Sequence, residues 1–465
     1  MPVNPIQRAL TEVEKALKQR EPERAWAALA PFAPSIDADA DLALAWLTLL
    51  RITPGRDGLR AQVQRILARW PNEPRMVMAA CDALVRAAEL KAPDEPPQAD
   101  GPAQLAAQAA QHALEGLSAA DKANPDVAGY LHMTRGNALR LAHLHDEALA
   151  SCQAALACHP NNGDWWFNLG LVHKARHAWS EALQASERAR ALLGDRKGVL
   201  WNIAICATAL GRGELAVEAL RALGMPATLS PSGMPLVEGL PPVQVRAATI
   251  GTGHGTDDAG IDRAVAFELV WVSPLSPCHG VVQSTTFRDA SVDYGDLVLW
   301  DGTPIGITEH EGRPVPRFAL LSVLRKGDER RLRFVALEHE AGDVQAFGAA
   351  LPSEALLFVH RARIEQLCAR CASGDHMRKH EHGAPEPHRL VYGKLVVPAD
   401  VDLKTFRAAL DAVLKQHTKV QLVMPALLEA IGDTHAAGKA HQMWRGLERT
   451  AQKSPRPDRD AQARG

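Results

Sequence analysis

Apolar and polar residues alternate with helical spacing throughout the first half of the chain. Segments such as 5–20, 74–90 and 104–117 place apolar residues three and four positions apart, with charged residues between them. This spacing predicts amphipathic helices. Pro-Gly, Pro-Asn and proline-rich stretches separate the segments, and such stretches are typical of turns. The pattern therefore predicts a series of short helices joined by tight connections over residues 4–224.

Small residues recur in this half at intervals of 34 positions, as in Gly136, Gly170 and Ala204. A glycine or alanine at a fixed place in each helix lets two backbones approach closely. The interval therefore predicts a repeated pair of packed helices, because a fixed period reflects one structural unit. The other series with this interval are Ala148, Ala182 and Ala216; Leu149, Leu183 and Val217; and Asn168 and Asn202.

These positions resemble the tetratricopeptide repeat. Residues 163–196 carry the family's large, Leu, Gly, Ala and Ala positions as Trp166, Leu169, Gly170, Ala182 and Ala189. The preceding repeat, 129–162, matches at Gly136, Ala148, Ala155 and Pro160, and the following one at Ile203, Ala204 and Ala216. The resemblance implies a right-handed solenoid of helix pairs over residues 1–224, with its best repeats in 129–224.

The resemblance also implies protein binding, because the first helices of such repeats line a groove that can hold a peptide or a partner helix. A chaperone-binding subset of the family grips a terminal carboxylate, and Asn137 and Asn168 stand where its two asparagines would. The basic positions of that subset hold Met133, Gly198 and Asn202 here. We therefore exclude that subset, because the positive charge needed for a carboxylate is missing.

We still predict a partner-binding groove in the repeats. The amides at the groove positions could bond the backbone of a bound polypeptide, and Trp165, beside a packing position, is expected to face the groove. The alternative is that the asparagines only satisfy neighbouring helix turns within the solenoid. The predicted groove residues are Asn137, Asn168, Asn202 and Trp165.

The pattern changes after residue 224. Residues 225–242 are rich in proline and have no periodicity, which predicts a linker. Eight short, β-branched or alternating segments follow, separated by turns and with no helix predicted between them. They predict an antiparallel barrel or sandwich over residues 243–360. The segments are 243–249, 266–272, 281–287, 296–300, 304–308, 318–324, 331–337 and 355–360.

The end of the chain predicts a small α/β piece over residues 389–452. Its elements are a strand at 388–397, helices at 403–416, 425–431 and 434–452, and a strand at 420–424. A helix is predicted at 361–371, and the polar residues 453–465 are expected to be disordered. The predicted fold class is therefore multidomain α + β, with an α-solenoid of helix-turn-helix repeats, a β-rich unit and a small α/β piece.

Composition and charge narrow the function. The 52 basic and 54 acidic residues nearly cancel, which excludes a basic nucleic-acid-binding module. No apolar run is long enough for a membrane helix, and the first residues lack the apolar core of a secretory signal. Seven cysteines, an odd number, favour free thiols in a reducing compartment. We therefore expect a cytoplasmic protein, and the frequent Ala and Arg suggest a GC-rich bacterial genome.

A cysteine- and histidine-rich segment, 361–388, is a candidate zinc site. Cys368, Cys371, His376 and His380 have the spacing C-x2-C-x4-H-x3-H. The spacing resembles a zinc knuckle, although His380 stands one residue early and in place of the last cysteine. Four protein ligands would make such a zinc structural, because no coordination position stays open. The alternative is that the cysteines end a helix and the histidines lie in a solvated loop.

We predict an interaction scaffold or adaptor that binds a protein or peptide partner. The alternative is a hydrolase or metal-dependent enzyme whose C-terminal half is catalytic and whose repeats recruit substrate. In that case Cys278 would be the nucleophile, with a distant base, because His279 is adjacent on a strand and points to the opposite face. The candidate bases are His254, His339 and His360.

Overall fold

The computed structural model describes residues 4–90, 100–249, 267–287, 290–367 and 386–451. The chain divides into two compact units. The first, which we call the repeat unit, comprises Met1–Leu240, Leu275–His279 and Trp300–Gly306. The second, the β unit, comprises Pro241–Pro274, Gly280–Leu299 and Ile307–Gly465. No helix among the described residues combines the length and apolarity needed to span a bilayer.

The helices of the repeat unit follow the sequence pattern closely. Some of their starts are capped by polar side chains, as where Asn162 accepts a hydrogen bond from the backbone N–H of Trp165. Several begin with proline, which has no N–H to satisfy at that position. The helices are α1 (Pro5–Lys18), α2 (Pro22–Leu29), α3 (Ala40–Ile52), α4 (Leu59–Arg69), α5 (Pro74–Ala88), α6 (Pro102–Gly116), α7 (Ala119–Ala123), α8 (Pro125–Leu141), α9 (His145–Cys158), α10 (Gly163–Ala175), α11 (Trp179–Leu193), α12 (Lys197–Ala209) and α13 (Gly213–Ala222).

Close packing explains the small residues that recur every 34 positions. A Cβ atom added at Gly136 would lie 2.5 Å from Cys152 Sγ, and one at Gly170 would lie 3.0 Å from Ser186 Oγ. The turn after each first helix also repeats, because His143, His177 and Gly211 all have positive φ angles. The predicted helical solenoid is therefore confirmed, with α8/α9, α10/α11 and α12/α13 as equivalent pairs.

The predicted linker is partly structured. Strands β1 (Thr228–Leu229) and β2 (Pro235–Leu236) form an antiparallel hairpin that packs on α13. Ala227 and Val237 are buried with the side chains of α12 and α13. The hairpin therefore covers the apolar face that the last repeat would otherwise expose, which is the role of a terminal cap in solenoids.

The β unit begins with a closed barrel of five strands. Its neighbours follow the order β3-β4-β5-β6-β8, and the parallel pairing of β8 with β3 closes the ring. Strand β7 pairs with β8 outside the ring. The strands are β3 (Val243–Ala248), β4 (Phe267–Ser276), β5 (His279–Val282), β6 (Leu297–Trp300), β7 (Gly306–His310) and β8 (Arg313–Arg325).

A second, four-stranded sheet has the order β10-β11-β9-β12. Its apolar core includes Phe334, Phe347 and Leu410, contributed by the sheet and by the helices packed on it. All its pairings are antiparallel. The elements are β9 (Arg330–Glu338), α14 (Asp343–Ala349), β10 (Leu356–Leu367), β11 (Glu386–Val397), α15 (Leu403–Gln416), β12 (Val420–Val423), α16 (Pro425–Ala430) and α17 (Thr434–Ala451).

Strand pairing corrects the predicted organisation of this half. Strands β9 and β10 leave the barrel and pair with β11 and β12, so the sheet joins the predicted 243–360 and 389–452 regions. A helix, α14, interrupts the predicted run of strands. Residues 361–367 extend strand β10 and are not helical, because pairing with β11 along the whole strand outweighs their helical spacing.

Candidate partner-binding site

The first helices of the repeat pairs form one layer. Helices α3, α5, α8, α10 and α12 contact one another in succession, whereas contacts between successive second helices are sparser within the described residues. The first-helix layer therefore lies on the inside of the curve, where solenoids bind partners. We call the side of α8, α10 and α12 that carries Asn137, Asn168 and Asn202 the groove face.

Two of the predicted asparagines present unused amides on this face. Asn137 on α8 and Asn168 on α10 are half-buried. Within the described residues neither side chain forms a hydrogen bond, and the Oδ1 atom of Asn137 is buried without a partner. These two side chains therefore do not satisfy neighbouring helix turns, because that role would require a hydrogen bond to the backbone.

The third asparagine, Asn202 on α12, is engaged within the chain. Its Oδ1 atom accepts a hydrogen bond from Lys174 Nζ at 3.1 Å, and the same Nζ lies 3.0 Å from Asp301 Oδ2. Asn202 is 4% exposed. It therefore helps to hold Lys174 against Asp301 and offers little surface to a partner.

Two segments that are distant in sequence pack on α12, next to the side that carries Asn202. Trp201 lies against Gly302, where an added Cβ would be 3.0 Å from the indole ring. Cys278 Sγ lies 3.8 Å from Thr208 Oγ1. Both contacts are internal to the repeat unit, which includes Leu275–His279 and Trp300–Gly306. The accessible part of the groove face is therefore that of α8 and α10.

Trp165 does not face the groove as expected. Its side chain is 8% exposed, and the ring lies where a Cβ added at Gly129 would be 2.6 Å away. The ring also stands edge-on to His159, with centroids 5.3 Å apart. Trp165 is therefore a packing residue between two repeats, since a large ring buried against a glycine contributes mainly apolar contact.

Sequence reasoning missed the charged groups near the groove face. Tyr130 Oη donates to Asp82 at 2.7 Å, and burial raises the pKa of Asp82. Arg140 on α8 is half-buried, and burial lowers its pKa. The repeat interval could have indicated Arg140, because it stands 34 residues before Lys174. The Lys174–Asp301 pair spans 127 residues, which no local pattern could connect.

The environment of Cys278 does not favour a nucleophile. The thiol is buried, burial raises its pKa, and its neighbours are the hydroxyls of Ser276 and Thr208. The adjacent His279 uses Nδ1 to contact Ser276 Oγ at 2.6 Å, and burial lowers its pKa to about 4. A thiol is a nucleophile only as the thiolate, which burial disfavours here.

The other candidate bases are placed elsewhere. His360 Nε2 contacts Thr285 Oγ1 at 2.8 Å, and the backbone N–H of His339 bonds the carbonyl of Lys419. His254 lies outside the described residues. Within the described residues no imidazole is hydrogen-bonded to the Cys278 thiol.

We expect Cys278 to resist alkylation in the native protein. Iodoacetamide at neutral pH should modify it at least about tenfold more slowly than a free cysteine, because burial shields the thiol from the reagent and raises its pKa, which lowers the thiolate fraction. Peptide mass mapping of native and urea-unfolded protein measures this. The half-buried Cys158 in the same unit serves as the internal reference. Fast labelling of Cys278 in the native protein would contradict this expectation and support Cys278 as a nucleophile.

Polar groups in the β unit converge, but they satisfy one another. Lys394 pairs with Asp293 and bonds Thr286 Oγ1 at 3.2 Å. Arg389 pairs with the buried Glu338. No group of three or more potential ligands with metal-site geometry occurs in the part of the chain that the structure describes. The predicted zinc ligands Cys368, Cys371, His376 and His380 lie outside the described residues.

Comparison with known proteins gives limited similarity. No protein family profile matches the chain. Protein O-mannosyl-transferase TMTC1 of Mus musculus is 32% identical over 100 residues, which are 20% of this chain and 11% of that protein. The chain thus spans about a tenth of the length of this curated relative.

Among solved structures, two similar chains each match about half of this chain. TTC0263, a tetratricopeptide repeat protein of Thermus thermophilus, is 19% identical over 47% of this chain and 99% of its own, with a TM-score of 0.30. MamA from Desulfovibrio magneticus RS-1 is 14% identical over 48% of this chain and 92% of its own, with a TM-score of 0.28. The β unit has no clear counterpart.

Proposed function

We propose that the repeat unit is an interaction scaffold that binds a polypeptide on the groove face of α8 and α10. The observation that carries this proposal is the pair of amides, Asn137 and Asn168, that have no hydrogen bond within the described residues. Each amide can donate and accept at once, which matches the alternating N–H and C=O groups of an extended chain.

The position of the two amides supports binding of an extended segment. They lie on the first helices of successive repeats, which contact each other. A partner held there would bond two helices at once, as solenoids bind peptides through several repeats.

We further propose that the protein works in the cytoplasm. The cysteines described are unpaired thiols, namely Cys81, Cys152, Cys158, Cys206 and Cys278. Free thiols persist in a reducing compartment, whereas an oxidising one favours disulfides.

Replacing both amides tests the function. Phage-displayed random peptides are selected on the full-length chain, and the affinity of the best binders is measured by fluorescence anisotropy. The double variant N137A/N168A should weaken these peptides about tenfold or more, because each lost bond contributes about 1 kcal/mol. The matched control is Q153A/Q184A, which removes two exposed amides from the second helices α9 and α11.

Two results would contradict the proposal. One is a selection on the full-length chain that yields no peptide above background. The other is an equal loss of affinity in the control and in N137A/N168A, since the groove face would then have no special part in binding.

A further inference from the structure

Arg140 stands on the accessible part of the groove face and forms no ion pair with any residue that the structure describes. Its Nε atom is buried and has no hydrogen-bond partner within the described residues. The carboxylates of Glu89 and Asp301 attract it from a distance, but Glu89 is paired with Arg86 at 2.7 Å and Asp301 with Lys174 at 3.0 Å. Arg140 is therefore a half-buried cation whose neighbouring carboxylates are already paired with other cations.

The equivalent position in the next repeat shows what such a cation binds. Lys174 on α10 stands 34 residues after Arg140 on α8. Its ammonium group holds the carboxylate of Asp301, which comes from a segment distant in sequence, with Asn202 as the second polar contact. One groove position of this solenoid thus already binds an acidic side chain beside an asparagine.

Arg140 has the same kind of neighbour. Asn137 is three residues earlier on α8, and residues three apart on a helix lie on one side of it. The Lys174–Asn202 contact joins two successive first helices. The residues 34 positions earlier are Arg140 on α8 and Asn168 on α10, whose amide is also unbonded within the described residues. Burying a cation without a counter-ion is costly, so an anion that reached Arg140 would offset that cost.

We propose that Arg140 is the recognition point for an aspartate or glutamate side chain in the bound polypeptide, and that the partner is an acidic, extended peptide segment. The carboxylate would take the place at Arg140 that Asp301 takes at Lys174, while the backbone of the segment bonds Asn137 and Asn168. Arginine suits this role because its planar guanidinium can bind a carboxylate with two parallel hydrogen bonds. This inference rests on the proposed function.

Peptides selected on the full-length chain test the inference. They should be enriched in acidic residues, and replacing the critical Glu by Gln in one of them should weaken binding about 10- to 100-fold, as expected for a charge-assisted hydrogen bond. On R140Q the Glu and Gln peptides should bind equally, whereas R140K should keep a preference for Glu. The control R188Q removes an exposed arginine from the second helix α11 and should behave as the unchanged protein.

Each outcome separates this inference from the proposed function. If no peptide binds, the function itself fails. If peptides bind but lack acidic enrichment, or if R140Q keeps the full preference for Glu, groove binding stands and the role of Arg140 is overturned. Circular dichroism checks that R140Q folds. If R140Q does not fold, the affinities of the Glu and Gln peptides for the unchanged protein and for R140K test the role of Arg140 instead.

Discussion

Replacing Gly136 by leucine is expected to lower the free energy of unfolding of the repeat unit by about 3 kcal/mol, the upper part of the range for overpacked cores. The first new carbon would already lie 2.5 Å from Cys152 Sγ and 3.2 Å from the carbonyl oxygen of Ala148. The backbone of α9 cannot yield as a flexible side chain would, so α8 and α9 must separate. Leucine has the higher helix propensity, hence any loss of stability reports packing.

Urea denaturation followed by far-ultraviolet circular dichroism measures this effect. The matched control is Ala157→Leu, which introduces the same side chain at an exposed position of α9. It should change stability by less than about 0.5 kcal/mol, as surface substitutions usually do. Equal stability of the two variants would mean that the small residues repeated every 34 positions are not required by close helix packing.

The same packing explains why the sequence predicts the helical half so well. Gly136 and Gly170 recur because a larger residue would collide with the second helix of each pair, and apolar residues recur because each helix buries one side. Both requirements are local, so they leave a periodic record in the sequence. The unbonded amide of Asn168 stands in one of these periodic series, 34 residues before Asn202, whereas only the resemblance to the repeat family predicts Asn137.

The remaining features depend on contacts between distant parts of the chain. An alternating pattern identifies β9 as a strand, but the local sequence does not indicate that β9 pairs with β11 rather than with the barrel. Asn202 is bonded to Lys174, which also binds Asp301 from a distant segment, and the inward position of Trp165 depends on Gly129 of the preceding repeat. Periodicity gives the face of a helix, whereas long-range contacts decide which residues on that face stay accessible.

Asp296 in the β unit also depends on long-range contacts. Its replacement by alanine should strongly lower the stability of that unit. The carboxylate is fully buried and binds Lys326 Nζ at 2.9 Å, Arg331 Nη2 at 3.2 Å and the backbone N–H of Gly327 at 2.8 Å. Its Oδ2 also accepts from the backbone N–H of Asp293 at 3.0 Å. The carboxylate thus connects the barrel to the start of β9.

Removing one partner of a buried ion pair costs about 3 kcal/mol or more. Here the backbone N–H groups of Gly327 and Asp293 and the mostly buried Arg331 would lose this acceptor, whereas Lys326, whose side chain is 62% exposed, can turn to water. Asp296→Ala should therefore destabilise the β unit by about that amount in urea denaturation, while Asp296→Asn, which keeps acceptor oxygen but loses the charge, should cost less. Asp328→Ala is the control, since Asp328 is an exposed acid in the same connection. If Asp328→Ala lost as much unfolding free energy as Asp296→Ala, the negative charge of this region, and not the buried network, would stabilise the junction of barrel and sheet.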